Sequence, residues 1–332
     1  MTDASIPLSA ARTSGLVLSI ASLAPLVIFL ALLLYLGVAA PRFLTLGTLA
    51  LILNQAVPVV VVSLGLATVV IAGGDDIISG GIDLSIPGVA VLAGAIIAEL
   101  TTVKGAPVAV ALAAGMGAAL LAGLVNAFLV VRVGMTPLLA TLASYSGYVG
   151  LANYVTSSRR VNISDPLIVY LRDGSLGGLP AGVIVALVVA LIYALAIHRT
   201  RWGANLQAAG GGRDAAETAG LSPNRLIAQS FVLAAVAGGF GSAFLLARGS
   251  GFAPGVEENL QLEMILATFL GAAFSPRRVV TIWGAVLGAV LVAALSIGFG
   301  SAGVNIFWTG CIKGALILIV VASSAVSRNL DR

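Results

Sequence analysis

The chain alternates long, unbroken apolar runs with short polar or glycine-rich breaks. Ten runs stand out: Gly15 to Ala39, Leu49 to Ala72, Leu84 to Leu100, Ala106 to Val131, Met135 to Thr156, Pro180 to Ile197, Leu226 to Ala247, Leu260 to Phe274, Val279 to Gly298 and Phe307 to Ser324. A helix that crosses a bilayer needs roughly 20 apolar residues at 1.5 Å rise each. The runs are continuous rather than alternating, which excludes the strands of a membrane barrel. The third and eighth runs are short and polar at their starts, so either is open to being broken or re-entrant. The pattern predicts an all-α, polytopic membrane protein of about ten transmembrane helices, forming a single domain over residues 1–332. Nine or eleven helices would also be compatible.

Composition agrees. Hydrophobic residues make up 59% of the 332 residues and charged residues 9%, against about 25% charged in a soluble domain. With a mean hydropathy of +1.11, most of the chain belongs in lipid. Val38-Ala39-Ala40 is faintly like a signal-peptidase site. The apolar stretch before it exceeds the about 7–15 residues of a cleavable core, so a retained signal anchor is expected.

Charge placement sets the orientation expected. With the N-terminus in the cytoplasm, Arg12, Arg132, Arg199, Arg201, Arg213, Arg225, Arg277, Arg278, Arg328 and Arg332 lie inside. Arg42, Lys104, Arg159, Arg160, Arg172 and Arg248 then lie outside, and Lys313 falls within the last run. Both termini and the longest internal loop, 198–226, agree with this bias. The net charge of +4 reads as topological. Nucleic-acid binding would want basic residues gathered on one face. The external stretch Ser157 to Leu179 reads either as a docking surface or as a solvated connector.

Candidate chemistry is sparse. One cysteine, Cys311, and one histidine, His198, exclude an intramolecular disulfide, a cysteine metal cluster and paired-histidine metal sites. No catalytic, cofactor or metal constellation is expected. A phosphate-binding loop needs Gly-Lys-Ser/Thr, whereas Lys104 and Lys313 are each followed by glycine. Any ATP-driven work must therefore come from another chain. Gly115, Ala119 and Gly123, like Gly284 and Gly288, sit at four-residue spacing, which suits close helix packing.

Polar residues inside apolar runs are costly, so each is a candidate. Asn54 and Gln55 lie near the start of the second run and Asn126 lies in the fourth, where interhelical hydrogen bonding outweighs solute contact. Glu99, at a helix end, is expected to be solvated. Glu263 and Lys313 could pair with each other or with carbonyls. The densest polar stretch runs from Gly73 to Pro87, with Asp75, Asp76, Gly80, Gly81, Asp83 and Ser85. Broken backbone at membrane depth is tolerated only inside protein or beside water, though a plain capped turn at the surface would also serve. Asp83 can cap the next helix, and Pro87 suits its first turn.

The internal loop divides at Gly210-Gly211-Gly212 into two short helical pieces. Ala215, Ala216 and Ala219 would form a small-residue face rimmed by Arg213, Asp214 and Glu217. It reads either as an insert for a cytoplasmic partner or as an ordinary solvated loop.

Gly80-Gly81-Ile82-Asp83-Leu84-Ser85 resembles the GGIDLS signature of permease subunits in bacterial sugar ABC importers of the ribose, xylose, arabinose, galactose and galactofuranose type. The loop Gly203 to Leu221, with Gly203, Asn205, Ala209, Gly210, Ala215, Ala216 and Gly220, is similar to that family's cytoplasmic loop. Leu262 to Ala267 with Gly271, Trp283-Gly284 to Gly288, and Lys313-Gly314 match in order and spacing. The resemblance spans roughly Phe43 to Val321. Departures are the element Ala72 to Ser79, Pro87 and Gly212 in place of the usual glycine and asparagine, and Ala272-Ala273 where further glycines are common; these bear on the solute rather than on the class.

The resemblance implies a vitamin B12-importer-like permease fold in the bacterial inner membrane. It further implies two ATPase subunits, a second permease chain (identical or paralogous) and a periplasmic binding protein that delivers a sugar-like solute. The loop 198–226 would be the coupling element. A secondary transporter driven by an ion gradient is the competing expectation. It would usually show embedded carboxylates and inverted repeats.

Overall fold

A computed structural model describes residues 26–40, 42–74, 81–275 and 279–330. Asp75, Asp76, Ser79 and Gly80, together with Arg12, Arg277, Arg278 and Arg332, lie outside the described residues, as does the first predicted run before Leu26. Within them the chain is helical. Its helices are α1 (Leu26–Ala39), α2 (Leu46–Gly73), α3 (Ile86–Ala98), α4 (Val108–Val131), α5 (Pro137–Thr156), α6 (Pro166–Asp173) and α7 (Ala181–Arg199). They continue as α8 (Arg201–Gly211), α9 (Arg213–Thr218), α10 (Pro223–Gly249), α11 (Val256–Ala272), α12 (Ile282–Ser301) and α13 (Ile306–Leu330). Nine of the ten apolar runs fall on helices, and so does the described part of the first. By length and composition six are long and apolar enough to cross a membrane: α2, α3 with its π-helical end Glu99–Val103, α4, α7, α10 and α12.

The centre of the bundle is α2 against α10. Helices α3, α4 and α5 gather on the α10 side, and α11, α12 and α13 on the α2 side. In lipid there is little hydrophobic force between helices, so close approach depends on small residues. The sequence supplies them. A Cβ at Gly123 would come within 2.7 Å of Ala235 on α10, and Gly284 and Gly288 of α12 lie directly against the backbone of Gly271 and Ala267 on α11. Both four-residue spacings thus mark helix contacts, as expected.

At one end of the bundle the connector after α5 folds back onto the α10–α11 turn. Two-residue strands Val161–Asn162 and Gly251–Phe252 pair antiparallel, Val161 opposite Phe252. Arg160 Nη2 donates to the Gly249 carbonyl at 2.6 Å and Arg172 Nη1 to Ser250 Oγ at 2.6 Å. A second small ladder joins Ser175–Leu176 to Leu179–Pro180; these are the departures from an all-α fold. In the same region the Arg172 guanidinium, hydrogen-bonded to Asp173, holds that carboxyl below its ordinary value of 3.8. The pair therefore persists through the ordinary carboxylate range and opens only as pH falls through the depressed value.

Glu99 is not a solvated end. Its side chain is largely covered and stands 3.9 Å from Arg159, so the external connector closes over the tip of α3.

Candidate functional site

Two groups of sequence-predicted residues meet at the opposite end of the bundle, around the last turns of α2. The first is the signature. Gly81 to Ser85 is non-helical and buried, and it enters the bundle beside α2. A Cβ on Gly81 would overlap the Val69 carbonyl, so only glycine lets the chain lie flat against that helix. Asp83 is 1% exposed. Its Oδ1 accepts from Ser85 N at 2.8 Å and Ser85 Oγ at 2.6 Å. Ser85 is the N-cap of α3 and Pro87 lies in its first turn, so Asp83 braces the cap from two residues before it rather than being the cap itself.

The remaining polar groups are satisfied across helices. Asn126 Nδ2 on α4 donates to Ser85 Oγ at 2.6 Å. Tyr148 on α5 donates to the Ala122 carbonyl at 3.0 Å and to Asn126 Oδ1 at 3.3 Å. The Leu84 N–H donates to Thr141 Oγ1 at 3.1 Å. This buried chain pins the break to α4 and α5, and it explains how non-helical backbone is accommodated inside the bundle. Asn126 therefore does the interhelical work expected of it. Asn126→Ala removes the donor to Ser85 and the acceptor for Tyr148, with an expected cost of about 1–2 kcal/mol; thermal unfolding in detergent measures it.

The second group is the internal loop. Thr200 caps α8, accepting from Gly203 N at 3.0 Å. A Cβ at Gly203 would overlap the Ile197 carbonyl, so α8 can turn back tightly on α7. Gln207 Nε2 donates to the same carbonyl at 3.0 Å. Leu206 and Ala209 are buried and Asn205 half-buried. At Gly210 the helix lies on α2 itself, where a Cβ would overlap the Ile71 carbonyl, and Gly74 faces it with φ +77°. The loop is thus seated on the helix end that also carries the signature.

Beyond Gly212, α9 presents an exposed face. Arg213 reaches Glu217 Oε1 at 3.4 Å and Asn224 Oδ1 at 2.7 Å. The expected three-alanine face is corrected: Ala216 is turned into the protein, while Ala215 and Ala219 are exposed. Gly220, at φ +81°, closes α9 with Leu221 N donating to the Ala216 carbonyl at 3.0 Å, a Schellman arrangement that favours glycine.

Asn54 and Gln55 do not join this site. They lie fifteen or so residues back along α2, about 22 Å away at helical rise. There they line a cavity of about 260 Å³ with Arg172, Asp173, Gly182 and Arg248. Pro58 in α2 has no N–H for the Asn54 carbonyl, which frees a backbone acceptor at this cavity.

Behind the cavity is a buried ionic group only partly foreseen. Glu263 on α11 accepts from Lys313 Nζ at 2.7 Å and lies 3.8 Å from Arg248. Ser296 Oγ adds a contact to Glu263 Oε1 at 3.4 Å, and Arg248 Nη1 points to the Gln55 carbonyl at 3.4 Å. Glu263 and Lys313 do pair, one of the options left open. Arg248, expected on the external side, turns its side chain to Glu263 and is 20% exposed. Three ionisable residues far apart in sequence gave no signal of meeting.

Among the described residues no group of three or more histidine, cysteine or acidic side chains could hold a metal ion. What the arrangement offers is mechanical: a surface elbow, a helix end and a buried break in rigid contact, with a polar cavity at the other end of the same helix.

Comparison with known proteins places this geometry. The chain is 30% identical to a probable ABC transporter permease of Sinorhizobium fredii over 90% of this chain and 87% of that protein. It is 29% identical to the galactofuranose transporter permease of Escherichia coli, covering 81% and 77%. With the ribose import permease of the same organism it shares 27% identity, covering 89% and 91%. No solved structure matches. Residues 48–321 match the family described as the permease component of branched-chain amino acid transport systems. That match takes in nearly every helix described above, and the chain belongs to this family of membrane-embedded permease components.

Proposed function

We propose that the chain is the transmembrane permease subunit of an ABC importer, forming the path for a sugar or sugar-like solute delivered by a periplasmic binding protein. The family description mentions branched-chain amino acids, but the relatives are named as permeases for galactofuranose, fructose, arabinose and ribose. A neutral, hydroxyl-rich solute also suits a bundle with few embedded charges. Hydrolysis belongs to separate ATPase subunits. The comparisons lend no support to an ion-gradient carrier.

The finer reading is a vitamin B12-importer-like permease with about ten crossings, both termini in the cytoplasm of a bacterium and its helices in the inner membrane. It acts with a second permease chain, identical or paralogous, and two ATPase subunits. Residues 198–226 are the coupling loop. Gly203, Asn205, Ala209 and Gly210 seat it, while Arg213, Ala215, Glu217 and Gly220 shape what the ATPase meets. Gly80, Gly81, Asp83 and Ser85 form the signature that moves with it, and Asn54 and Gln55 line the solute's entry.

The observation that carries this is the seat of α8 on α2. Gly210 rests on Ile71 and Gly74, and Gly81 rests on Val69 and Gly73. A push on the elbow is therefore delivered to the break without a flexible link. A partner shifts an equilibrium only through different contacts in its two states, and a rigid seat preserves that difference. Glu217→Lys reverses charge on the exposed face, far from the bundle core. In vesicles reconstituted with the ATPase and binding protein, uptake is expected to fall more than about tenfold with membrane insertion unchanged. Undiminished uptake would remove the coupling role.

A further inference from the structure

Two depressions at the α8–α9 end of the bundle run into one another. The first is a groove of about 600 Å³ between α4, α7 and α10, its walls including Leu124, Ala127, Ala196 and Val232. The second is a polar bowl of about 570 Å³ with Arg132, Ser222, Asn224 and Glu217 in its walls. Arg225 and Ala228 line both, so an apolar slot opens directly into a polar basin. Beside the junction Trp202 is half-buried, its indole N–H donating to Gln229 Oε1 at 2.8 Å. That is the posture of an aromatic ring at a membrane–water boundary.

The charges at the junction are unbalanced. Glu217, the carboxylate of the bowl, is engaged by Arg213 at 3.4 Å. Arg132, at the C-cap of α4, and Arg225, in the first turn of α10, are exposed and make no ion pair among the described residues. A purely apolar partner helix laid in the groove would cover these cations without a counter-charge, which is costly. A phosphodiester supplies the charge and accepts paired guanidinium hydrogen bonds, and the hydrocarbon attached to it fits the slot.

We propose that groove and bowl together are a binding site for an anionic phospholipid, with an acyl chain in the slot and the phosphate between Arg132 and Arg225. The site needs only a membrane-embedded chain and is independent of the solute transported.

The test uses the intact chain, purified in neutral detergent and stripped of lipid. It is titrated with dioleoyl phosphatidylglycerol or dioleoyl phosphatidylcholine, and retained lipid is counted by native mass spectrometry. Phosphatidylglycerol is expected to be held about tenfold more strongly. In Arg132→Gln/Arg225→Gln the two lipids should be held alike, and Ala228→Trp, which fills the junction, should weaken both with helix content unchanged. Equal retention of both lipids by the unaltered chain, or a preference that survives in the double variant, would overturn the proposal. So would an efficient disulfide between two copies of Leu124→Cys in a Cys311→Ser background, which would assign the groove to a second permease chain.

Discussion

Replacing Lys313 by methionine is expected to cost about 3–5 kcal/mol of unfolding free energy. Lys313 is 4% exposed and Glu263 6%, and their 2.7 Å contact is the close one in the group. Without the ammonium, the carboxylate keeps only Arg248 at 3.8 Å and the Ser296 hydroxyl. Most of the cost is thus a buried charge left under-compensated, rather than the worth of the pair itself. That distinction is measurable. Lys313→Met/Glu263→Gln removes that carboxylate but leaves the Arg248 guanidinium without its ion-pair partner, so it is expected to regain only part of the loss, whereas independent residues would give additive losses. Chemical unfolding of the four proteins of the cycle in detergent decides it. A double variant no more stable than Lys313→Met would mean that Glu263 is satisfied by other means.

The bundle itself was legible because lipid imposes a simple rule. Backbone groups without water must pair within a helix, so an apolar run of sufficient length is a helix. Boundaries went astray where polar residues start a helix. Helix α11 begins at Val256, not Leu260, because Glu257 and Glu258 occupy its first turn, and acids suit that end of the helix dipole. Helix α10 begins at Pro223 after Ser222, a start signal stronger than the hydropathy that placed it at Leu226. Helix α12 waits until Ile282 because Thr281 accepts from Gly284 N.

The site was legible only in pieces. Asp83 and Ser85 are two residues apart and could be read together. Their partner Asn126 lies 41 positions beyond Ser85, and Thr141 and Tyr148 pass for ordinary residues of an apolar run. Side chains were also assigned by loop where the fold assigns them by face. Arg248 was counted only by its side of the membrane, while its place on α10 turns it to Glu263; Ala216 was grouped with Ala215 and Ala219, yet α9 points it the other way. Asn54 and Gln55 share a helix with the signature's seat, but a 28-residue helix puts its two ends in different compartments of the fold. Sequence marks which residues are costly to place in lipid. It does not say which of them share the cost.

Gly210→Val is expected to separate ATP hydrolysis from uptake. The valine Cβ would overlap the Ile71 carbonyl, with Gly74 N close by at 3.2 Å, and backbone cannot yield as a flexible side chain can. Helix α8 must therefore lift from α2. The bundle keeps its own contacts, since α8 lies at its edge and buries only Gly203, Leu206 and Ala209. The expected loss of stability is about 1–3 kcal/mol, the usual cost of overpacking. The functional loss should be much larger. A shift of about 1 Å in a positioning element can cost a hundredfold, and here the displaced element joins the motor surface to the signature. Reconstituted with the ATPase and binding protein, the variant should hydrolyse ATP while uptake falls by about two orders of magnitude. Gly211→Val is the matched control, because a Cβ there meets nothing within 4 Å and uptake should persist. If both variants transport normally, the seat on α2 carries no force, and the link between elbow and signature must run through α7 or α10 instead.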